Sequence, residues 1–158
     1  MKTPIAKHTV STNIPFPSET HHSSLDLRKI GIKREEIVLL HLTRGFEMME
    51  WIIAVLKSGA AFAVADQKHP VERTLSVMSI AQPAFVVDDG SGNDLNLEPF
   101  QLDEKVLDTQ NLALDDMPIS NPEDITENED LAYVVFTSGS TGRNFGRCQF
   151  VSELTDGF

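Results

Sequence analysis

Short, continuous apolar runs alternate with helix-like segments in the first half of the chain, and this order constrains the fold more than any other feature. The runs cover Ile37–Leu42, Ala60–Ala65 and Ala84–Val87, and such runs are typical of strands that are covered on both faces. Amphipathic helices are predicted between them, over Gly45–Ser58 and from Pro70 to about Ala81. A strand-helix-strand-helix-strand order gives parallel strands with right-handed crossovers, so we predict an α/β fold with helices flanking a parallel sheet.

The first predicted helix has an apolar face. Its main stripe recurs at spacings of three and four residues, and it consists of Phe46, Met49, Ile53 and Leu56. Met48, Ile52 and Val55 widen this face, so we expect the helix to be deeply packed. Gly59 is expected to end it in a left-handed conformation.

A segment near the end of the chain suggests a specific chemistry. Residues Tyr133–Gly142 have the sequence YVVFTSGSTG, in which a β-type run ends in six small residues. Gly139 and Gly142 allow turns that other residues disfavour, and the hydroxyl side chains between them can donate hydrogen bonds to phosphate oxygens. A strand that ends in such a loop can bind an anion through its backbone N–H groups. An ordinary Ser/Thr/Gly turn has the same composition, so context must decide between the two.

The context is a resemblance to the adenylate-forming (AMP-binding) enzymes, whose phosphate loop has the pattern Tyr/Phe-Thr-Ser-Gly-Ser/Thr-Thr-Gly-Lys/Arg-Pro-Lys-Gly. Phe136–Arg143 matches that pattern position by position. A second match lies upstream, where Ala54–Arg73 resembles the segment AVLKAGAAYVPLDPxxPxxR of the nonribosomal peptide synthetase adenylation domains. Asp66, Pro70 and Arg73 fit this segment, whereas Val64 and Gln67 stand where prolines are usual. The Walker A loop is not present, because Arg143 follows the second glycine directly.

The resemblance implies an incomplete N-terminal subdomain of such an enzyme, with a partial parallel-sheet layer. It also implies ATP with Mg²⁺ as the nucleotide, a carboxylic or amino acid as the second substrate, and a carrier-protein thiol as the acceptor in the parent enzyme. The implied cofactor-binding residues are Thr137, Ser138, Gly139, Ser140, Thr141, Gly142 and Arg143. No catalytic residue and no metal ligand is assigned within this chain.

The resemblance covers part of the chain only. It suggests a polar arm over residues 1–24, a partial AMP-binding subdomain over residues 25–142 and an unmatched tail over residues 143–158. Phe145 replaces the lysine of the phosphate-loop motif, and an aromatic ring cannot neutralise phosphate charge as an ammonium does. The expectation is therefore a truncated ligase domain that does not catalyse the parent reaction alone. The alternative is a non-catalytic remnant, or an interaction module that associates with a complete synthetase.

The charge and residue composition of the chain limit the classes of partner that it is expected to bind. The net charge is −11, and 14 of the 24 acidic residues lie between Asp88 and Asp130. An acidic chain disfavours nucleic acid and anionic membrane surfaces, and no apolar run is long enough to span a bilayer. One cysteine, Cys148, fits a reducing compartment, so the cytoplasm is expected. His21 and His22 lack further ligands at metal-binding spacing, and Ser58 does not lie in a G-x-S-x-G nucleophile turn.

Overall fold

The computed structural model describes residues 27–92, 95–102, 105–111, 125–127, 129–138 and 144–150, and for residues 137, 138 and 144–150 it describes the backbone alone. The strands are β1 (Ile37–His41), β2 (Ala61–Val64), β3 (Phe85–Asp88), β4 (Val106–Asp108), β5 (Leu131–Ser138) and β6 (Asn144–Phe150). The main helices are α1 (Phe46–Lys57) and α2 (Val71–Ala81), and a 3-10 turn covers Glu98–Phe100. A helical turn at residues 27–29 precedes them.

The six strands form one sheet in the order β4-β3-β1-β2-β5-β6. The first five strands run parallel, and β6 runs antiparallel to β5. The predicted α/β fold with a parallel sheet and flanking helices is therefore confirmed. β1 lies between β2 and β3, and its residues Val38, Leu39 and Leu40 are fully buried because both neighbours and both helix layers cover them. Val38 and Leu40 belong to one hydrophobic cluster and Leu39 to the other, as expected when side chains alternate across a sheet.

Helix α1 packs onto the sheet through a different stripe from the one predicted. Its buried residues are Met48, Trp51, Ala54 and Val55, whereas Phe46 and Met49 are 66% and 53% exposed. The prediction that Phe46 and Met49 lead the packed face was wrong. The helix carries two overlapping apolar stripes, and burial of Trp51 removes the larger apolar area from water while Ala54 allows close approach to the strands.

The end of α1 agrees with the sequence prediction. Gly59 follows the helix with φ of +82°, a left-handed conformation that strains residues with a Cβ atom. Its N–H donates to the carbonyl oxygen of Leu56 at 3.0 Å, and the N–H of Ala60 donates to the carbonyl oxygen of Val55 at 3.3 Å. Space is also limited there, because a Cβ atom on Gly59 would lie 3.1 Å from Cδ1 of Ile125.

Helix α2 covers the opposite face of the sheet. Val77 and Met78 are buried in the cluster that also contains Leu39 and Val134. The helix ends at Ala81, and Gln82 has a left-handed backbone with φ of 47°. The predicted end of this helix at about Ala81 is confirmed.

The long acidic connection between β3 and β5 contains the short strand β4. β4 pairs in parallel with β3 and extends the sheet by one strand. The apolar piece Leu95–Leu97 forms no strand; it leads into the 3-10 turn, and Leu97 is buried there. The connection returns to the sheet at Asp130, immediately before β5.

An ion pair fixes the start of β5. Arg34 Nε donates to both carboxylate oxygens of Asp130, at 2.8 and 2.7 Å, and the Asp130 side chain is only 3% exposed. Arg34 Nη2 also binds Glu127 at 2.7 Å, and the Glu127 N–H donates to Asp130 at 2.8 Å. Because Arg34 precedes β1 and Asp130 precedes β5, this cluster ties together two strand starts that are 96 residues apart in sequence.

Candidate functional site

The predicted phosphate loop lies at the end of β5. The strand includes Thr137 and Ser138, the first two of the six small residues. The register pairs Ser138 with Asn144 on β6, so the two ends of the intervening segment are held side by side in an antiparallel ladder. Gly139, Ser140, Thr141, Gly142 and Arg143 lie outside the described residues. Their assignment to nucleotide binding stays a prediction.

Strand β6 covers a segment to which the sequence assigned no element. Residues Asn144–Phe150 pair with β5 from Ser138 back to Leu131, with one irregularity between Leu131 and Tyr133. The strand begins inside the segment that the sequence division placed in the tail. That division, at residue 142, stays a prediction. Cys148 lies on this strand opposite Val134.

A crevice opens where β2 and β5 separate. The two strands pair at Phe62 with Tyr133 and at Ala63 with Val134, and no further pairing follows toward their carboxyl ends. The space beyond has a volume of about 240 Å³. We call it the β2–β5 crevice; its walls come from both strands, from the segment after β1 and from the first turns of α2, and they comprise Arg44, Phe62, Val64, Ala65, Asp66, His69, Arg73, Thr74, Val77 and Tyr133–Phe136.

Charged side chains line the β2–β5 crevice. Arg44 Nη2 forms an ion pair with Asp66 Oδ2 at 2.8 Å, and the other Asp66 oxygen accepts the Lys68 N–H at 2.9 Å. The hydrogen bond from the Lys68 backbone, supported by the charge of Arg44, holds the pKa of Asp66 below its usual range. His69 and the half-buried Arg73 complete this part of the wall. Within the described part of the chain, Arg73 forms no ion pair.

Apolar side chains line the crevice from both faces of the sheet. The rings of Phe62 and Tyr133 are stacked, with their centroids 5.5 Å apart and their planes inclined by 19°. Val77 and Val134 are buried on the face that α2 covers. A charge that is held against such a surface is screened less than a charge in open water.

A second polar cluster lies where β1 and β3 end. The Asp89 carboxylate is 8% exposed and accepts four hydrogen bonds: from the Thr43 N–H at 2.8 Å, from Gln67 Nε2 at 2.7 Å, and from Ser91 N–H and Oγ at 2.9 and 2.6 Å. Burial alone would raise the pKa of Asp89, but the hydrogen bonds from Ser91, Gln67 and Thr43 outweigh it and hold the pKa well below the usual range. Beside it, buried His41 Nδ1 lies 2.9 Å from Asp88 Oδ2.

Sequence reasoning did not find this cluster. Its central residues, Asp89 and Gln67, come from different loops, and the chain gives no motif that joins them. Gln67 stands where the resembling family has proline, and its amide links Asp89 to the carbonyl oxygen of His41 at 2.8 Å. One signal was available, the switch in crossover direction: β2 lies on one side of β1, and β3 lies on the other. At such a switch point the loops that follow the strands lie close together at the carboxyl edge of the sheet.

Asp66 and the first two residues of the predicted phosphate loop lie at the carboxyl edge of the sheet. Asp66 follows β2, Thr137 and Ser138 end β5, and the two strands are neighbours in the sheet.

In the described residues, no three His, Cys, Asp or Glu side chains are grouped so that they could hold a metal ion. In the same part of the chain, no helix has the length and apolar character to cross a bilayer.

Comparison with known proteins finds relatives among the nonribosomal peptide synthetases. Over 120 residues the chain is 48% identical to "Hybrid PKS-NRPS synthetase TAS1" of Gloeophyllum trabeum, covering 76% of this chain and 8% of that protein. It is 37% identical over 120 residues to "Dimodular nonribosomal peptide synthase" of Bacillus subtilis, covering 71% of this chain and 5% of that protein. The chain thus spans less than a tenth of the length of these relatives.

Solved structures share the fold. The nonribosomal peptide synthetase FmoA3, solved with alpha-methyl-L-serine-AMP bound, has a TM-score of 0.71 at 18% identity, covering 88% of this chain and 15% of that one. The N-terminal subdomain of Klebsiella oxytoca NpsA has a TM-score of 0.68 at 18% identity, covering 85% of this chain and 34% of that one. At this identity the likeness concerns the fold alone.

A family model and the two synthetases together establish the family. The model of the AMP-binding enzyme family matches residues 23–144, which include every described strand from β1 to β5. The similarity to the two synthetases covers more than two thirds of the chain. This chain belongs to the AMP-binding enzyme family, as an N-terminal piece of an adenylate-forming domain of the nonribosomal peptide synthetase type.

Proposed function

We propose that the loop over Thr137–Arg143 binds the β- and γ-phosphates of Mg·ATP, and that it serves carboxylate activation in the parent enzyme. A carboxylate oxygen of the acid substrate attacks the α-phosphorus, the bond to the bridging oxygen breaks, and acyl-adenylate and pyrophosphate form. Magnesium, when bound with ATP, neutralises charge on the departing pyrophosphate. The acyl group then passes to the thiol of a carrier protein.

The observation that carries this proposal is the position of the loop. It connects the end of a parallel strand to an antiparallel neighbour, and Ser138 and Asn144 are register partners across that hairpin. Ligands of parallel α/β sheets gather at the carboxyl ends of the strands. Hydroxyl and backbone N–H groups in that position suit a phosphate chain, because they can donate hydrogen bonds to its oxygens without a lysine.

In this proposal, the chain alone provides only some of the groups that the reaction needs. The loop can position and stabilise the leaving group, which is an electrostatic role. No described residue is assigned to hold the adenine or the acid substrate. We therefore propose that this chain binds nucleotide without completing the ligase reaction.

The test is nucleotide binding by the chain, measured by isothermal titration calorimetry with Mg·ATP. The Ser140→Ala, Thr141→Ala double variant removes two hydroxyl donors and keeps the glycines, so we expect at least about tenfold weaker binding, since two hydrogen bonds to charged phosphate are lost. A Ser79→Ala variant on α2 is the matched control, because Ser79 is exposed and donates only to the Ser76 carbonyl oxygen. Equal affinity of the double variant and the wild type would refute the loop assignment.

Catalysis is tested separately by exchange of labelled pyrophosphate into ATP in the presence of carboxylic and amino acids. We expect no acid-dependent exchange above the Ser140→Ala, Thr141→Ala background. Exchange above that background would show that the chain is a complete catalyst and would refute the proposed division of labour.

A second candidate is an interaction module that associates with a complete synthetase. The described sheet ends at β6, a seven-residue strand that pairs with β5 on one side. Unpaired strand edges attract further strands. Co-purification with a full-length adenylation domain, lost when Gln149 is replaced by proline, would favour this role over nucleotide binding.

A further inference from the structure

The β2–β5 crevice carries a local positive charge in an otherwise acidic protein. Arg44 and Arg73 contribute two positive charges and Asp66 one negative charge, so the lining is net positive by one with His69 neutral. The whole chain has a net charge of −11. A positive lining in such a chain is a local arrangement that general solubility does not require.

The two arginines differ in whether a carboxylate already offsets their positive charge. Arg44 is 72% exposed and is paired with Asp66. Both Asp66 oxygens already accept a donor, one from Arg44 and one from the Lys68 N–H. Arg73 is half-buried, lines the same space, and has no carboxylate partner among the residues that the structure describes. Among the described residues, Arg73 is therefore the crevice cation that has no carboxylate partner.

The size of the crevice limits that ligand. Pockets for drug-sized molecules have volumes of roughly 300–1,000 Å³, and the crevice, at about 240 Å³, is smaller. It suits a small anion better than a whole nucleotide. A guanidinium offers paired N–H donors that match phosphate oxygens, and Val77, which lies on the same helix as Arg73 and lines the same space, is buried.

We propose that the β2–β5 crevice is a binding site for a phosphate-class anion, and that Arg73 is its principal ligand. Arg44 contributes a weaker, screened attraction because Asp66 already offsets its charge. This inference goes beyond the proposed function, since it concerns side chains of α2 and of the segment after β1 and not the hydroxyl loop. The site would accept free pyrophosphate or the terminal phosphates of a bound nucleotide, which share the same chemistry.

The test is titration of the full chain with inorganic pyrophosphate at fixed ionic strength, followed by calorimetry. Arg73→Gln removes the charge while keeping a polar side chain of similar reach, and we expect at least tenfold weaker binding. Arg44→Gln is expected to weaken binding about two- to threefold. Lys68→Gln is the matched control: it removes an exposed positive charge next to the crevice without removing a lining residue, and it should change the affinity less than twofold.

Two further variants separate this site from the loop and from misfolding. Arg73→Lys keeps the charge and loses the paired donors, so intermediate binding is expected; its circular dichroism, with that of Arg73→Gln, reports the fold. Amide chemical shifts of Ala65 and Thr74 should move on addition of pyrophosphate. The Ser140→Ala, Thr141→Ala variant distinguishes the sources, because free pyrophosphate held by Arg73 alone survives it and a nucleotide held by both sites does not.

Each result of the pyrophosphate titrations either supports or refutes the proposed site. Weaker pyrophosphate binding by Arg73→Gln supports the site, whether or not the loop variant also weakens it. Wild-type affinity in Arg73→Gln would overturn the inference, and in that case loss of nucleotide binding in the loop variant would leave the proposed function standing. No binding of pyrophosphate by the wild type at millimolar concentration would also overturn it.

Discussion

Replacing Asp89 with asparagine tests whether the cluster at the ends of β1 and β3 stabilises the fold through its negative charge. Asparagine keeps the shape and one acceptor oxygen, but it presents an NH₂ group to some of the four donors that now bind the carboxylate. A hydrogen bond to a charged group contributes about 1.5–3 kcal/mol. Three of the four bonds end on Oδ1 and one on Oδ2, so an asparagine whose oxygen takes the Oδ1 position loses the bond from the Thr43 N–H. The three remaining bonds weaken because their acceptor is neutral, and the donor on exposed Thr43 recovers part of the loss by binding water.

The net result should be a loss of about 2–3 kcal/mol in the free energy of unfolding at pH 7, or roughly 5–10 °C in the melting temperature for a chain of this size. Urea denaturation followed by circular dichroism measures this loss. Glu129→Gln is the matched control, since it also removes one carboxylate, from an exposed side chain. Its effect should stay within about 0.5 kcal/mol.

The pH dependence gives a sharper test. The pKa of Asp89 is depressed in the folded protein, so its contribution is fully present above the unfolded pKa of about 3.9 and is lost as the pH falls toward the lower folded value. The difference in stability between wild type and Asp89→Asn should therefore be constant from pH 8 to pH 5 and shrink below about pH 4. A difference that is absent at pH 7, or that is unchanged at pH 3, would refute the reasoning.

Two further predictions test the packing of α1. Trp51→Ala should cost about 3–5 kcal/mol of stability because a large buried side chain is deleted, whereas Phe46→Ala, at an exposed position, should cost less than about 1 kcal/mol; chemical denaturation of both variants measures the difference, and equal costs would contradict the observed face. Gly59→Ala should cost about 1–2 kcal/mol because φ is positive there, and the contact with Ile125 adds to the strain; the double variant Gly59→Ala, Ile125→Ala should recover the part that is steric, and no recovery would mean that the backbone alone accounts for the loss.

The order of elements was determined by the sequence alone. Continuous apolar runs with helices between them can be buried in few ways, and parallel pairing with right-handed crossovers is the common solution. The strands observed at Ile37–His41, Ala61–Val64 and Phe85–Asp88 lie within one residue of the predicted bounds. The left-handed end of α1 at Gly59 was also predictable, because glycine is the residue that adopts that conformation without strain.

The tertiary structure decided what no local pattern specifies. Which of two apolar stripes of α1 faces the sheet depends on the fit of Trp51 and Ala54 against the strands, and the periodicity of the helix does not distinguish them. Asp89 and Gln67, and likewise Arg44 and Arg73, are brought together by loops and helices that are distant in sequence. The sequence can name a phosphate loop because that function is contiguous, whereas a crevice between two strands exists only once the strands have been placed side by side and have then diverged.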